Sequence, residues 1–449
     1  MRLDEEGPAP RGTATSSATA GAPVGEPGAV DEAATPRGFL VMLLVLTFAM
    51  NTIGRGVAET FAVFLLPVER DLDVSRSAMT ATYSLYMLVT GLMGPFAGQL
   101  IDRFGARITY GLGLVVMGSG YFLAGSATEI WHYYLTVGVV GGLGTCLLGM
   151  VIASSLLTRW FSRRLGAVIA LPYAAIGMGM LLFPPLTQLL LEAYGWRFAH
   201  QVLGLGILTL LPFVMLLPLR RMSQGSAQWR RIKAESAMVE GKVWDLRAAI
   251  ATGAFWAMFG VFFTTSIAAY AVLPQSVAFL IERGFDPLLA AGSFGLIGVM
   301  STFGILAMGA LSDRIGRLKA ATLSYFSSFI GLFSLLMVAF WPSLALVYSF
   351  VFFFGMMQGA RGPLVVAMIP VIFKGGNVGA IFGAMSLGQG IGGAVGSWTS
   401  GLLHDLSGDY IVSILFGIAA SVMGLLLFWV VPSLRHERIG GAPDVKRTP

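Results

Sequence analysis

Asn51, Arg55 and Glu59 lie four residues apart in a stretch, 38 to 66, that holds no other charge. At helical spacing they form one polar stripe on a single face. Arg361, with Gln358 three residues before it, interrupts a second uncharged stretch in the same way. A guanidinium can hold a carboxylate through two parallel hydrogen bonds, and a nearby Glu can take up and release a proton. A charge near the centre of a bilayer costs at least about 2.5 kcal/mol on insertion scales, so such residues are expected to face a watery cavity or a partner. Arg55 and Glu59 could also neutralise each other as a structural pair. Arg361 has no acid nearby in its own helix, so its counter-charge must come from another helix or from a solute. The expectation is that Arg361 anchors an anionic group, that Arg55 assists with Asn51, Gln358, Tyr270 and Gln389 around them, and that Glu59 carries the coupling proton. Tyr83, Tyr86, Tyr173, Ser266, Tyr270 and Gln389 are weaker cavity candidates, for which a helix-to-helix hydrogen bond is at least as good a reading.

The elements that must position these residues follow from composition. Of 449 residues 56% are hydrophobic and 12% charged, against about 25% charged in soluble domains. The apolar residues come in runs long enough to cross a bilayer. Twelve spans are expected near 38 to 66, 78 to 101, 107 to 127, 130 to 158, 165 to 191, 197 to 219, 248 to 280, 288 to 311, 318 to 340, 342 to 372, 377 to 402 and 410 to 432. Pro172, Pro184, Pro185, Pro274 and Pro363 are expected to kink them.

The chain therefore divides into a disordered tail at 1–37, a six-helix bundle at 38–219, a linker at 220–247, a second bundle at 248–432 and a tail at 433–449. The loops after even-numbered spans carry the basic residues, among them Arg103, Arg107, Arg159, Arg220, Arg221, Arg314 and Lys319. By the positive-inside rule both ends and the linker are cytoplasmic, in the inner membrane if the source is prokaryotic. The first apolar stretch begins only after Arg37 and runs on as a full span, unlike a cleaved signal. These scattered basic residues do not form a groove-tracking face for nucleic acid.

The single cysteine, Cys146, and four separated histidines offer no disulfide or metal-ligand spacing. No cofactor is expected. No phosphate-binding GxxxxGK[ST] loop, clustered nucleophile and base, or repeated selectivity ring is visible, which argues against an ATP-driven pump, an enzyme and a channel.

Two internal pairings show a duplication. GQLIDRFGAR at Gly98 to Arg107 matches GALSDRIGRLK at Gly309 to Lys319, 211 residues on, and LGAVIALPYAAIGMG from Leu165 matches VGAIFGAMSLGQGIGG from Val378, 213 residues on. The repeated loop resembles the G-x-x-x-D-R-x-G-R-R marker of the major facilitator superfamily. Gly98, Asp102, Arg103, Gly105 and Arg107 fit it in the first half, and Gly309, Asp313, Arg314, Gly316 and Arg317 in the second.

The resemblance implies an all-α membrane protein of twelve transmembrane helices in two pseudo-symmetric six-helix bundles, acting as a monomer, with these loops as a gate. Small glycines would allow close helix contact there, and the Asp would pair in one conformation and release in the other. Within the superfamily, VGVVGGLG from Val137, RWFSRRLGAVIA from Arg159 and GWRFAH from Gly195 look most like the monocarboxylate transporter and oxalate/formate antiporter groups. Those groups carry small organic anions, coupled to protons or by exchange. Two features depart from the monocarboxylate pattern: span 8 has no charge before Asp313, and the span 1 lysine of that group aligns with Glu59. Alternatives are uptake of a larger nutrient, such as a vitamin or aromatic acid, and drug or metabolite efflux. Against efflux, AIGMGMLLFPPLTQ does not fit the glycine-proline motif of drug/proton antiporters.

Overall fold

The computed structural model describes residues 36–161, 165–227, 229–230, 246–361, 368, 372–373 and 378–431. The two expected tails apart from Pro36 and Arg37, most of the linker, and Pro363 fall outside the described residues.

Among the described residues, eight stretches are long and apolar enough to cross a membrane. Two of them, Arg76–Ala124 and Ala170–Leu216, are 49 and 47 residues long, about 70 Å at helical rise, more than twice the hydrocarbon core. Each is in fact two spans, broken at Gly105 (φ 76°) and at Gly195 (φ 81°). Leu344–Gln358 and Val378–Ser407 supply spans 10 and 11. Twelve spans follow, as the duplicated sequence implies. Pro172, Pro184 and Pro185 lie inside the Leu165–Leu216 helix, whose break is at Gly195 instead. Pro274 opens a helix, where its missing N–H costs nothing.

The two halves repeat their turns as well as their sequence. Asp73 and Gly284 end spans 1 and 7, Gly105 and Gly316 separate spans 2 and 3 and spans 8 and 9, and Gly195 and Gly408 separate spans 5 and 6 and spans 11 and 12; all six have positive φ. Their separations are 211, 211 and 213 residues, the offsets of the sequence pairings. Ser75 and Asp286, also 211 apart, cap spans 2 and 8 by accepting from Ala78 N (3.2 Å) and Leu289 N (2.9 Å). Spans 1 and 7 are both broken midway. Span 1 runs as Arg37–Glu59 and Phe61–Leu72, span 7 as Gly253–Tyr270 and Leu273–Glu282.

The described chain starts on one membrane face, here the terminal face, which also carries the Gly105 and Gly316 turns. The turns at Asp73, Gly195, Gly284 and Gly408 lie on the opposite, far face. The halves meet along spans 2 and 11 and along spans 5 and 8.

Within the second half, spans 8 and 10 touch backbone to backbone at Gly304. A Cβ there would lie 1.5 Å from Met356 O, which cannot move without shifting the helix. Gly304→Ala is expected to lower the melting temperature in detergent by at least several degrees and to reduce the monodisperse yield. A wild-type melting curve would contradict this packing.

Candidate functional site

Arg55 and Glu59 sit at the end of the lower helix of span 1, and their side chains pair at 2.9 Å. Arg55 Nη1 donates to Tyr86 OH (3.0 Å) from span 2, and Nη2 to Tyr270 OH (2.6 Å) from span 7. Tyr83 OH donates to Glu59 Oε2 at 3.2 Å. The Tyr83 ring lies 5.2 Å from that of Tyr86 and 5.8 Å from that of Tyr270. One ion pair is thus wrapped by three tyrosines from two spans, Tyr83 and Tyr86 of span 2 in the first half and Tyr270 of span 7 in the second.

Exposure gives this site a direction. Glu59 is 4% exposed and Arg55 20%. Beyond Arg55 toward the far face, residues 56–66 and 266–280 are buried without interruption, whereas Ala49 and Ile53, toward the terminal face, are partly exposed. Gln389 is exposed on span 11. It lies one turn before Gly393, whose added Cβ would meet the Tyr270 ring at 3.0 Å, and roughly opposite the exposed Ile391, Val395 and Trp398. Gln389 therefore borders the approach to the tyrosine cluster from the terminal side.

The other expected site residues are placed differently. Asn51 is buried and donates to Thr47 O at 2.9 Å, within its own helix. Arg361 is buried against span 9: its Nε donates to Ser324 Oγ (3.2 Å), its Nη2 to Ser324 O (3.1 Å) and to Ser328 Oγ, and its guanidinium lies 4.1 Å from the Tyr325 ring centroid. Tyr325 in turn pairs with Thr265 of span 7 at 3.0 Å. Among the described residues no carboxylate lies within ion-pair distance of Arg361. Gln358 is partly buried at the last helical position before Arg361. Arg361 and Arg55 thus belong to two separate polar clusters. Tyr173 lines a third place, a mainly apolar cavity of about 200 Å³ between spans 5 and 8, with Ala170, Leu171, Thr302 and Leu306.

At the repeated loop, Asp102 pairs with Arg159 at the end of span 4. Arg103 and Arg107 of its own motif are exposed. Arg159 also donates to Ser223 O (2.7 Å), and Ser223 Oγ accepts from Ala106 N (2.7 Å), so the start of the linker is tied to the loop. Gly105 serves its positive-φ turn. Gly98 has ordinary room, a Cβ there lying 3.8 Å from Val151, so close packing is not its role in this conformation. In the second half Gly316 makes the equivalent turn and Arg314 is exposed. The side chains of Asp313 and Arg317, and the surroundings of Gly309, are outside the description.

The far face holds a cluster that the sequence does not single out. Arg76, buried at the start of span 2, donates through Nε to Glu69 (2.6 Å), through Nη2 to Glu282 (3.0 Å) and through Nη1 to Tyr410 OH. Asp405 accepts from the backbone N–H groups of Arg76 (3.0 Å) and Ser77 (2.8 Å), placing a second-half carboxylate on a first-half helix N-terminus. Below it, Ser84 donates to Ala394 O (2.7 Å) and Ser397 to Thr80 O (3.2 Å). These bonds seal the halves together. The available signal was an Arg at the first position of span 2 between acidic loops; its partners across the halves were not readable.

A family model for the Major Facilitator Superfamily matches residues 41–363. Among curated relatives, monocarboxylate transporter 13 of Bos taurus is 25% identical over 406 residues, covering 90% of this chain and 91% of the relative. Monocarboxylate transporter 11 of Homo sapiens is 26% identical over 402 residues, covering 86% and 81%. Among solved structures, a D-xylose-proton symporter superposes with a TM-score of 0.69 at 16% identity, over 89% of this chain and 99% of that one. At that identity the likeness speaks for the fold alone. With two bundles of six helices, a repeated loop motif and a family match over most of its length, the chain belongs to the Major Facilitator Superfamily and is a multi-pass membrane transporter, not an enzyme.

Proposed function

We propose that this transporter moves a small organic anion of the monocarboxylate type by alternating access, coupled to a proton or to a counter-anion. The observation that carries the reading is the Arg55–Glu59 pair, held between the two halves with Arg55 still partly exposed, as Ala49 and Ile53 are on its terminal side. Glu59 occupies Arg55 as a substrate carboxylate would, so an arriving anion competes with it. A carboxylate displaced from its guanidinium in a buried site is most stable protonated. Anion and proton then enter together, and binding strengthens as pH falls. The relatives' names, monocarboxylate transporters 13 and 11, point to the same substrate class.

This reading makes Arg55 the anchor, with Glu59 the proton carrier and Gln389 at the entrance; Asn51 and Gln358 support the helices that carry the two arginines. Arg361 becomes a brace between spans 9 and 10, since hydroxyls and a ring face already hold it. The repeated loops act as the terminal-face gate through the Asp102–Arg159 tie, with Asp313 and its neighbours as the second-half counterpart. That face is the cytoplasmic one by its excess of arginine and lysine. The carrier works as a monomer in the cell membrane, the inner membrane if it is bacterial.

The test is uptake of labelled lactate, pyruvate, oxalate and formate into proteoliposomes at two pH values, by wild type and by Arg361→Gln. Saturable uptake of at least one anion is expected. Arg361→Gln is expected to lower the melting temperature while reducing uptake by less than about tenfold, the cost of a lost brace rather than a lost anchor. Failure of every anion would sink the substrate class, and complete loss with Arg361→Gln at normal stability would return the anchor to span 10.

A further inference from the structure

We propose that Tyr270 is a positioning residue that ties Arg55 to the second half and so couples occupancy of the anion site to the far-face seal. Glu59 and Tyr270 are 211 residues apart, and each is the last residue of the lower helix of its span, one in each half. Arg55 Nη2 reaches both, Glu59 Oε1 at 2.9 Å and Tyr270 OH at 2.6 Å. The guanidinium thus lies between two repeat-equivalent partners. Its bond to Glu59 stays within the first half, whereas its bond to Tyr270 crosses to the second.

What lies beyond each partner makes the arrangement a linkage. After the breaks at Thr60 and Ala271–Val272, the upper helices Phe61–Leu72 and Leu273–Glu282 run to the far face. The first carries Glu69 and the second ends in Glu282, and both carboxylates accept from Arg76. Two short rigid levers, each about 15–18 Å long at helical rise, therefore connect one arginine at the site with one arginine at the seal.

The Tyr270 hydroxyl cannot easily find another partner. Its ring is buried, faces Tyr83 at 5.8 Å and packs close to the glycine surface at Gly393. A buried hydroxyl that loses a charge-assisted partner carries a penalty that the closed arrangement avoids. In the empty carrier the Arg55–Tyr270 bond therefore favours a closed far face. An anion that draws Nη2 away removes this tie and leaves the outer cluster to hold the halves alone. The identity of the displacing group rests on the proposed function; the tie itself does not.

The experiment is pulsed electron-electron distance measurement across the far face in nanodiscs, with no solute present. Spin labels are placed at Thr128→Cys in the loop after span 3 and Pro342→Cys in the loop after span 9, in a Cys146→Ala background. Tyr270→Phe is expected to raise the ratio of long-distance to short-distance populations about tenfold, in the same direction as Arg76→Gln. Tyr86→Phe removes a hydroxyl from the same guanidinium without cutting a bond between halves, and is expected to leave the distribution unchanged. If Tyr270→Phe yields no folded protein, Arg55→Lys, whose compact ammonium lacks the fork that serves both partners, must produce the same shift. A wild-type distribution for the folded variant, or an equal shift from Tyr86→Phe, would overturn the proposal. Absence of any anion uptake by the wild type, with the distance shift of Tyr270→Phe intact, would overturn the proposed substrate and leave the tie standing.

Discussion

Arg55→Gln is expected to reduce saturable monocarboxylate uptake by roughly a hundredfold or more, the cost of truncating one partner of a buried charge pair at a binding site. The variant loses the guanidinium that Tyr86, Tyr270 and Glu59 all engage. It also leaves Glu59 buried without its cation, which for an uncompensated buried charge costs about 3–5 kcal/mol. Stability and transport must therefore be separated. Arg55→Gln combined with Glu59→Gln removes both charges, and is expected to recover most of the melting temperature while uptake stays lost. Recovery of uptake in the double variant would mean that the pair is structural and the anion binds elsewhere.

Glu59→Gln alone is expected to have the second largest effect, and of a different kind. With no carboxylate beside Arg55, the proton has no carrier. Gradient-driven accumulation should fall to background and its stimulation by external acid should vanish, while anion-for-anion exchange persists. The sign follows from competition. In the wild type Glu59 occupies Arg55, so a proton that neutralises this carboxylate frees the guanidinium and favours anion binding. In the variant the amide competes weakly at every pH, so binding should be nearly pH-independent. Undiminished acid stimulation in Glu59→Gln, measured as initial uptake rate against external pH, would remove Glu59 from the coupling step.

The 51, 55, 59 stripe was legible because helical spacing alone puts those residues on one face, and a charge in an apolar run is unmistakable. The duplication was legible for a similar reason, and the positive-φ turns at Gly105 and Gly316 fall within its motif. What sequence could not supply was rotation of one helix against another. Nothing in the sequence sets Ser324 and Ser328 apart from the other small polar residues of span 9, yet they face span 10 and hold Arg361. Arg76 is one of several charges close together between spans 1 and 2, and its partners Glu282, Asp405 and Tyr410 come from segments more than 200 residues away, so nothing local singles it out. The breaks at Thr60 and Ala271 fall on neither Gly nor Pro, so no local signal marked where the two levers begin. Asp102 was expected to pair at the loop, and its partner proved to be Arg159 at the end of another span.

One anion and one proton are expected to meet at the Arg55–Glu59 pair. Calorimetric titration of the detergent-solubilised protein with a bound monocarboxylate, repeated in two buffers of different ionisation enthalpy, counts the protons taken up per anion. About one proton per anion is predicted for the wild type at a pH where Glu59 is ionised, and none for Glu59→Gln. Anion binding with no proton uptake by the wild type, or with equal uptake by Glu59→Gln, would exclude Glu59 as the proton carrier.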